Sequence, residues 1–278
     1  MATRDVNDAV WDANYAYAYQ YDDIGNRVTS SERGTNTIYS ANELNQYTSI
    51  VGGPAESEPE FDDDGNQTLI RTGTGTWRVT YNGENRPILW EPIEQSEQST
   101  NQTILTMSYD RLGRRVTKNA ERFVYDGYLQ IANIQSPTPT QNSNCFTWDP
   151  TEPIATCPLV WLSSALRTPH SALYYTHDGN KNVSEVVSNG RHVFAHYEYA
   201  PYGGVSAWNC ESAILNPWQF SSEYADGVTS LMYVEDMLGL QPNDGWFYKL
   251  AGWFFKSRNV KRAQWVLSGS GTCSCCKE

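Results

Sequence analysis

Short segments of alternating apolar and polar residues recur along the chain and predict β-strands. Trp77-Arg78-Val79-Thr80-Tyr81 is one of them, and its period of two is typical of a strand with one buried face. Clusters of Asp, Asn and Gly stand between such segments. They favour tight turns, because Asp and Asn side chains hydrogen-bond the backbone that follows and Gly accepts a positive φ. No convincing amphipathic helix interrupts residues 15–135, so the pattern predicts an all-β chain.

The turns share one motif, which is an aromatic residue, then Asp or Asn, then a turn that contains Gly and often Asn. The full copies are Tyr21-Asp22-Asp23-Ile24-Gly25-Asn26-Arg27, Phe61-Asp62-Asp63-Asp64-Gly65-Asn66-Gln67, Tyr81-Asn82-Gly83-Glu84-Asn85-Arg86 and Tyr109-Asp110-Arg111-Leu112-Gly113-Arg114-Arg115. Tyr125-Asp126-Gly127 comes after them, and the looser copies are Trp148-Asp149-Pro150 and His177-Asp178-Gly179-Asn180. Spacings run from 16 residues (109 to 125) to 40 (21 to 61) and cluster near multiples of 20. Seven ordered copies predict a structural repeat.

Each repeat is predicted to be a hairpin of two short strands. One hairpin is not stable alone, so successive hairpins should stack edge to edge into a long curved sheet. An open piece of such a sheet leaves strand edges unpaired, so we expect self-association. The residues expected to hold the repeats together are Tyr21, Asp22, Gly25, Asn26, Arg27, Phe61, Asp62, Gly65, Asn66, Tyr81, Tyr109, Asp110, Gly113, Tyr125, Asp126, Asp178, Gly179, Tyr199 and Gly203.

These residues resemble the YD-repeat, or RHS, family over about residues 15–233. The segment 21–27 matches the family motif Y-D-x-x-G-N-R, and Asn42-Glu43-Leu44-Asn45-Gln46-Tyr47 matches its companion N-x-L-N-Q-Y. The second half resembles the RHS repeat-associated core, through the ordered segments 174–180 (YYTHDGN), 197–203 (YEYAPYG) and 216–224 (NPWQFSSEY).

The resemblance implies a long β-sheet wound into a hollow spiral shell, of which this chain supplies a partial turn. Many bacterial members enclose a C-terminal toxin in that shell, and others, including the teneurins, act in adhesion at cell surfaces. The expected partners are therefore a toxin cargo or the remaining shell segments. The alternative is a glycan or a cell-surface protein, bound by exposed Tyr and Trp. The family likeness also implies secretion or a place at the cell surface.

The resemblance divides the chain into four parts and fails in the last of them. Residues 1–14 are a lead-in, 15–135 are YD repeats, 136–233 are core-like repeats that continue the same sheet, and 234–278 are a divergent tail. Asp236-Met237-Leu238-Gly239-Leu240 echoes the family's D-P-x-G-L self-cleavage segment without its Pro, so we expect no enzymatic activity. The weaker alternative is a self-cleaving aspartyl-type core, in which Asp236 is the residue with a partial motif match. The tail also suggests a frameshift, because permitted codons for 240–253, read one base later, can spell the family's continuation.

Composition and charge exclude several classes of function. Aromatics make up 13% of the residues, including 18 Tyr, which favours strands. The net charge is −12 and the sole basic stretch is Lys256–Arg262, whereas a nucleic-acid binder carries a basic face. No stretch approaches the ~18 apolar residues that span a bilayer, and residues 1–10 do not form a signal peptide. Six Cys are too few and too unevenly spaced for a disulfide framework.

The candidate chemical groups all have simpler explanations. On a strand, His192 and His196 would lie roughly 13 Å apart, too far to share one ion. The cysteines at 273–276 lack an evident fourth zinc ligand. Asp62–Asp64 lack the spacing of a calcium loop, and the other carboxylates fall at repeat turns. We therefore expect no cofactor, no metal and no catalytic residue.

Overall fold

The computed structural model describes residues 16–53, 56–93, 104–135, 143–151, 157–164, 172–208, 216–234, 247–250 and 253–254. Over these residues the chain consists of 21 β-strands and one short 3-10 turn at Phe220–Ser222. The expected all-β fold of stacked hairpins is confirmed. The lead-in at 1–14, the segment 236–240 and the cysteines at 273–276 lie outside the described residues.

The chain forms two compact units, residues 1–59 and 60–278. In unit 1, four antiparallel strands pair in chain order. They are β1 (Tyr17–Tyr21), β2 (Arg27–Glu32), β3 (Thr35–Ala41) and β4 (Tyr47–Val51). A single bridge between Ile50 and Ser57 extends the edge at β4.

Unit 2 contains a sheet of 13 antiparallel strands that also pair in chain order. These strands are β5 (Leu69–Thr72), β6 (Gly75–Tyr81), β7 (Pro87–Ile93), β8 (Leu105–Tyr109), β9 (Arg115–Lys118), β10 (Glu121–Asp126), β11 (Leu129–Gln135), β12 (Ser143–Trp148), β13 (Pro158–Ser163), β14 (Ala172–His177), β15 (Val183–Ser188), β16 (Val193–Tyr199) and β17 (Val205–Trp208). β11 pairs directly with β12, so the sheet continues across residue 136. The unit boundary instead falls at 59–60, inside the repeats expected at 15–135.

A second sheet of unit 2 follows the long one. It contains β18 (Tyr224–Ala225), β19 (Leu231–Val234), β20 (Phe247–Leu250) and β21 (Trp253–Phe254), again in chain order. The backbone of β20 pairs with β19, so part of the segment 234–278 joins this sheet. We call residues 216–234 the strap.

The strap packs on one face of the 13-stranded sheet. The Trp218 ring lies 5.3 Å from Phe146 and 4.6 Å from Trp148, and the Tyr224 ring lies 5.7 Å from Phe123. Alternate residues of the strands point to this face and are buried, as Phe146 and Trp148 on β12 illustrate. The strand period of two therefore gives the long sheet one aromatic face, and the strap covers part of it.

Candidate functional site

The motif turn at Asp22 shows how one side chain organises a hairpin loop. Asp22 Oδ1 accepts hydrogen bonds from the backbone N–H of Ile24 (3.1 Å) and Asn26 (2.7 Å), and Oδ2 accepts one from Asn26 Nδ2 (2.9 Å). The Asp22 carbonyl accepts the N–H of Gly25, which has φ of +92°. This is a type I turn followed by a left-handed residue, a common three-residue hairpin loop. Although burial opposes it, the hydrogen bonds from Asn26 lower the pKa of Asp22.

The same loop with an Asp or Asn side chain at its first position occurs six times in the described residues. In each copy, the first side chain accepts the backbone N–H groups two and four residues later, and the fourth residue has positive φ. The first residues are Asp22, Asn42, Asp62, Asn82, Asp110 and Asp178. The left-handed residues are Gly25, Asn45, Gly65, Asn85, Gly113 and Lys181. The motif carboxylates are thus occupied by turn amides.

The copies that begin at Tyr125 and Trp148 form different turns. Asp126 lies opposite Leu129 across a two-residue loop in which Gly127 has φ of +59°. Asp149 accepts the N–H of Thr151 and begins a longer connection. The motif sequence alone did not distinguish these loops, because the loop type depends on the number of residues before the next strand.

A β-bulge follows the motif turns. Tyr21 lies opposite Arg27, but Gln20 lies opposite Thr29, so Val28 is an extra residue in β2. The same shift follows the turns at 42, 82, 110 and 178. Such bulges redirect side chains, and here the fifth residue after the first Asx is always buried. These buried residues are Arg27, Tyr47, Gln67, Pro87, Arg115 and Val183.

Tyrosine hydroxyls join several repeats of unit 2 to the repeat before them. Four motif tyrosines each donate to the carbonyl of that buried fifth residue in the preceding repeat, at 2.7–2.9 Å. The pairs are Tyr81 to Gln67, Tyr109 to Pro87, Tyr125 to Arg115 and Tyr199 to Val183. Trp148 Nε1 makes the corresponding bond to the Gln130 carbonyl. Sequence reasoning treated the motif aromatic as a packing group and missed this hydroxyl.

Asparagine side chains make a second link between neighbouring turns. Asn26 Nδ2 donates to Asn45 Oδ1 at 3.2 Å in unit 1, and Asn66 Nδ2 donates to Asn85 Oδ1 at 2.9 Å in unit 2. Both pairs are 19 residues apart. The near-20-residue period therefore has a direct structural basis at the rim of each sheet.

Arg27, the last residue of the first motif copy, is buried in an aromatic cage in unit 1. Its guanidinium carbon lies 4.6 Å from the Tyr19 ring and 5.6 Å from the Tyr39 ring, and Nη1 lies 3.9 Å from Glu32 Oε1. Burial raises the pKa of Glu32 to about 7, although the Arg27 charge opposes this shift. Arginine over aromatic faces is stabilised by the ring quadrupoles.

Arg115 occupies the same motif position in unit 2, and the strap completes its cage. Its guanidinium carbon lies 4.6 Å from the Phe123 ring, 5.0 Å from Tyr224 and 4.4 Å from Tyr233. Nη1 lies 3.6 Å from Asp226 Oδ2. Two of the three rings and the counter-ion therefore come from a segment that is about 110 residues away in sequence.

Asp226 has a second cation and two backbone donors. Lys118 Nζ lies 2.9 Å from Asp226 Oδ2, and Oδ1 accepts the N–H groups of Val228 (3.0 Å) and Thr229 (3.1 Å). Burial alone would raise the pKa of Asp226, but Lys118 and Arg115 hold it below its ordinary value. Lys118 also lies 3.8 Å from Glu121. Sequence reasoning did not single out Asp226.

The first part of the strap is attached to the motif turn at 178–182 and packs on the turn at 200–204. The N–H of Ser221 donates to Asn182 Oδ1 at 2.7 Å, and Ser222 Oγ donates to the Lys181 carbonyl at 2.7 Å. Phe220 packs on Gly203, where an added Cβ would lie 2.7 Å from the ring. Gly203 also has φ of +88°, so this position requires glycine for both space and backbone conformation.

The other candidate groups do not assemble into a site among the described residues. His196 Nδ1 pairs with Glu185 at 3.4 Å, whereas the His192 ring contacts Phe194 at 5.2 Å. In the part of the chain that the structure describes, no three His, Cys, Asp or Glu side chains gather as metal ligands would. None of the described helical turns is long and apolar enough to cross a membrane.

Comparison with known proteins gives distant structural likenesses. No family model and no curated protein match this chain. Among solved structures, it is similar to the crystal structures of TcdB2-TccC3-TEV and TcdB2-TccC3, each with TM-score 0.44, 14% identity and 84% of this chain covered. It is also similar to the Photorhabdus luminescens Tc holotoxin pore, with TM-score 0.46, 14% identity and 88% covered. The chain spans only 15–16% of those chains, and a likeness of this size says nothing about what it binds.

Proposed function

We propose that this chain is a structural segment of an RHS-type shell that encloses or presents a C-terminal toxin cargo in bacterial competition. The observation that carries the proposal is the six-fold use of one turn design along stacked hairpins. In unit 2, four tyrosine hydroxyls also join a repeat to the one before it. A sheet built in this way extends by adding hairpins and needs no new type of contact.

The use of the polar groups also supports a scaffold. The carboxylates of Asp22, Asp62, Asp110 and Asp178 are occupied by turn amides, and Asp226 is paired with the buried Arg115 and the partly buried Lys118. Catalytic acids and bases have to reach a substrate, whereas these groups are used to hold hairpins and strap in place. The absence of enzymatic activity stays a prediction, since Asp236 lies outside the described residues.

The adhesive alternative has less support. It relied on exposed Tyr and Trp as platforms for sugars or partner proteins. The described tryptophan side chains are at most 9% exposed, and they are Trp77, Trp90, Trp148, Trp161 and Trp218. Tyr21, Tyr128 and Tyr174 are 37–41% exposed, but no two of them belong to the same motif turn. A glycan array with hits that survive replacement of these tyrosines would contradict the stacking mechanism.

The nucleotide sequence of the gene from codon 230 to well past codon 278 tests the proposal. We expect a reading frame, in the present or a shifted phase, that continues the core and runs into a further coding domain. Stop codons in every frame shortly after codon 278 would contradict the shell-with-cargo proposal. The same sequence tests the frameshift hypothesis, because codons that cannot spell the family continuation exclude it.

A further inference from the structure

An arginine lies over a motif tyrosine at two successive turns of unit 2. Arg86 and Arg114 each stand four residues after the first Asx of their turns. The Arg86 guanidinium carbon lies 5.8 Å from the Tyr109 ring, and that of Arg114 lies 5.2 Å from the Tyr125 ring. In both cases the tyrosine is the motif aromatic of the next repeat, and it donates its hydroxyl back to the preceding repeat.

A carboxylate completes each of these arrangements. Asp110 Oδ2 lies 2.8 Å from Arg114 Nε and 2.6 Å from Nη2, and Glu84 pairs with Arg86. The repeat thus contains a built-in position for a guanidinium group between an acidic turn and an aromatic ring. Charge and ring quadrupole both favour a cation there.

The turn at Asp178 has the same framework without the arginine. Asn182 stands at the equivalent position, and its Nδ2 donates to Asp178 Oδ2 at 2.7 Å, much as Arg114 Nε donates to Asp110. The next motif aromatic is Tyr199, whose hydroxyl donates to the Val183 carbonyl. Because asparagine is several atoms shorter than arginine, its side chain ends at the carboxylate and does not extend over Tyr199.

A cleft of about 510 Å³ lies at this turn. Tyr197, Tyr199 and Phe220 contribute aromatic surface, with Tyr199 5.5 Å from Phe220 and 6.3 Å from Tyr197. Two carboxylates, Asp178 and Glu198, also line the cleft, and none of its described lining residues is basic. An anionic, aromatic cleft of this kind suits a cationic guest.

We propose that this cleft binds the guanidinium group of an arginine supplied by a partner polypeptide. The guest takes the position that Arg86 and Arg114 fill from within the chain at their own turns. It lies against the ring of Tyr199 and pairs with the exposed carboxylate of Glu198. Asp178 adds its negative charge to the cleft, while its oxygens keep their three hydrogen bonds within the turn. This site goes beyond the proposed scaffold function and does not depend on it, since it requires only the folded turns at 178–182 and 200–204 and the strap.

Binding of three matched peptides to the full chain tests the proposal. The peptides are acetyl-Gly-Gly-Xaa-Gly-Gly-amide, in which Xaa is arginine, lysine or citrulline, and binding is followed by NMR chemical-shift titration. We expect arginine to bind best, lysine more weakly, and neutral citrulline at least about tenfold more weakly than arginine. Shift changes should centre on Tyr199 and Asn180. Equal binding of arginine and citrulline would overturn the proposal, as would preferential binding of a neutral sugar.

Two glutamate variants locate the site. Glu198 is 57% exposed on its side chain, so Glu198→Gln should fold normally and weaken arginine binding about threefold to tenfold. Glu198→Lys should abolish it. Glu91→Gln is the matched control, since Glu91 is exposed on β7 away from the cleft, and it should leave binding unchanged. Equal weakening by Glu91→Gln and Glu198→Gln, or arginine binding that survives Glu198→Lys, would show that the peptide binds elsewhere.

Discussion

Replacing Asp226 by asparagine removes the charge that holds the strap on the long sheet. The new side chain keeps the size of the old one, and its carbonyl can still accept the N–H groups of Val228 and Thr229. It loses the negative oxygen that lies 3.6 Å from Arg115 and 2.9 Å from Lys118. Arg115 then stays buried, and the described residues leave it its aromatic rings as partners. Lys118 is partly exposed and retains Glu121 at 3.8 Å.

The expected loss follows from these distances. At an effective dielectric constant of about 20, each contact is worth about 5 kcal/mol of Coulomb energy. The cost of burying the charges offsets most of this, and breaking one partner out of a buried ion pair typically costs about 3–5 kcal/mol. We expect Asp226→Asn to lower the free energy of unfolding of unit 2 by that amount.

Urea unfolding followed by tryptophan fluorescence measures the loss, with Asp64→Asn as the matched control. Asp64 is exposed in a motif turn and offers its backbone N–H, not its carboxylate, to that turn, so its replacement should change stability by less than about 0.5 kcal/mol. Adding Arg115→Met to Asp226→Asn removes the orphaned cation, so the double variant should lose about 1–3 kcal/mol less than the sum of the single variants. Equal effects of Asp226→Asn and Asp64→Asn would refute the buried ion-pair reasoning.

The pH dependence of the unfolding free energy of the wild-type protein provides a further check on Asp226. Its folded pKa is lowered relative to the unfolded value of about 3.9. The folded state therefore binds the proton more weakly, so this contribution is present above about pH 4 and is lost as the pH falls through the folded pKa. Asp226→Asn should lack this acid-induced loss.

Three other perturbations test separate features of the fold, each by chemical unfolding. Tyr109→Phe removes one hydroxyl hydrogen bond between repeats and should lower the free energy of unfolding by about 1 kcal/mol. Tyr174 is 37% exposed on the sheet, so Tyr174→Phe should lower it hardly at all. Equal losses in the two variants would contradict the tyrosine link. Glu32 has a folded pKa of about 7 against an ordinary 4.5, so unit 1 should lose stability as the pH rises between these values, by about 1–2 kcal/mol after solvent screening. Glu32→Gln should remove that slope, and a slope that persists would show another group is responsible. Gly203→Ala forces a Cβ to 2.7 Å from a ring at φ of +88° and should cost more than about 1 kcal/mol, while Gly179→Ala, with nothing within 4 Å, should stay within about 0.5 kcal/mol.

The turns were predictable because their chemistry is local. Asp22 reaches only as far as Asn26, and the left-handed residue needed at Gly25 is visible in the sequence. A short window therefore contains both the cause and the effect. The alternation in segments such as 77–81 likewise predicts a strand, because each residue's face is set by its neighbours.

The aromatic cage around Arg115 could not be predicted in the same way. Its partners Tyr224, Asp226 and Tyr233 arrive from more than 100 residues later, and no local pattern connects them. One signal was available, however. The fifth position after the motif Asx is filled by residues as different as Arg115 and Val183, and all are buried. An arginine at a position that the repeat places on the inner face requires a counter-ion, which for Arg27 is the nearby Glu32 and for Arg115 the distant Asp226.

The cleft at Asp178 also needed the structure. In the sequence, Asn182 looks like another copy of Asn26 or Asn66, both of which cap their own turns. Only the placement of Arg114 over Tyr125 reveals that a longer side chain at this position reaches the next repeat. The shorter Asn182 instead accepts the Ser221 N–H, and the cleft remains between its turn, Tyr199 and Phe220. The motif sequence predicts the turn but not this difference.

Protease protection of the polypeptide encoded downstream of this chain tests the central claim most directly. Two samples are digested with trypsin under the same conditions. One is the protein encoded by the whole locus, and the other is the downstream polypeptide expressed alone. If this chain is part of an enclosing shell, the downstream polypeptide should survive when attached and be degraded when alone. Degradation at the same rate in both forms would contradict the shell function.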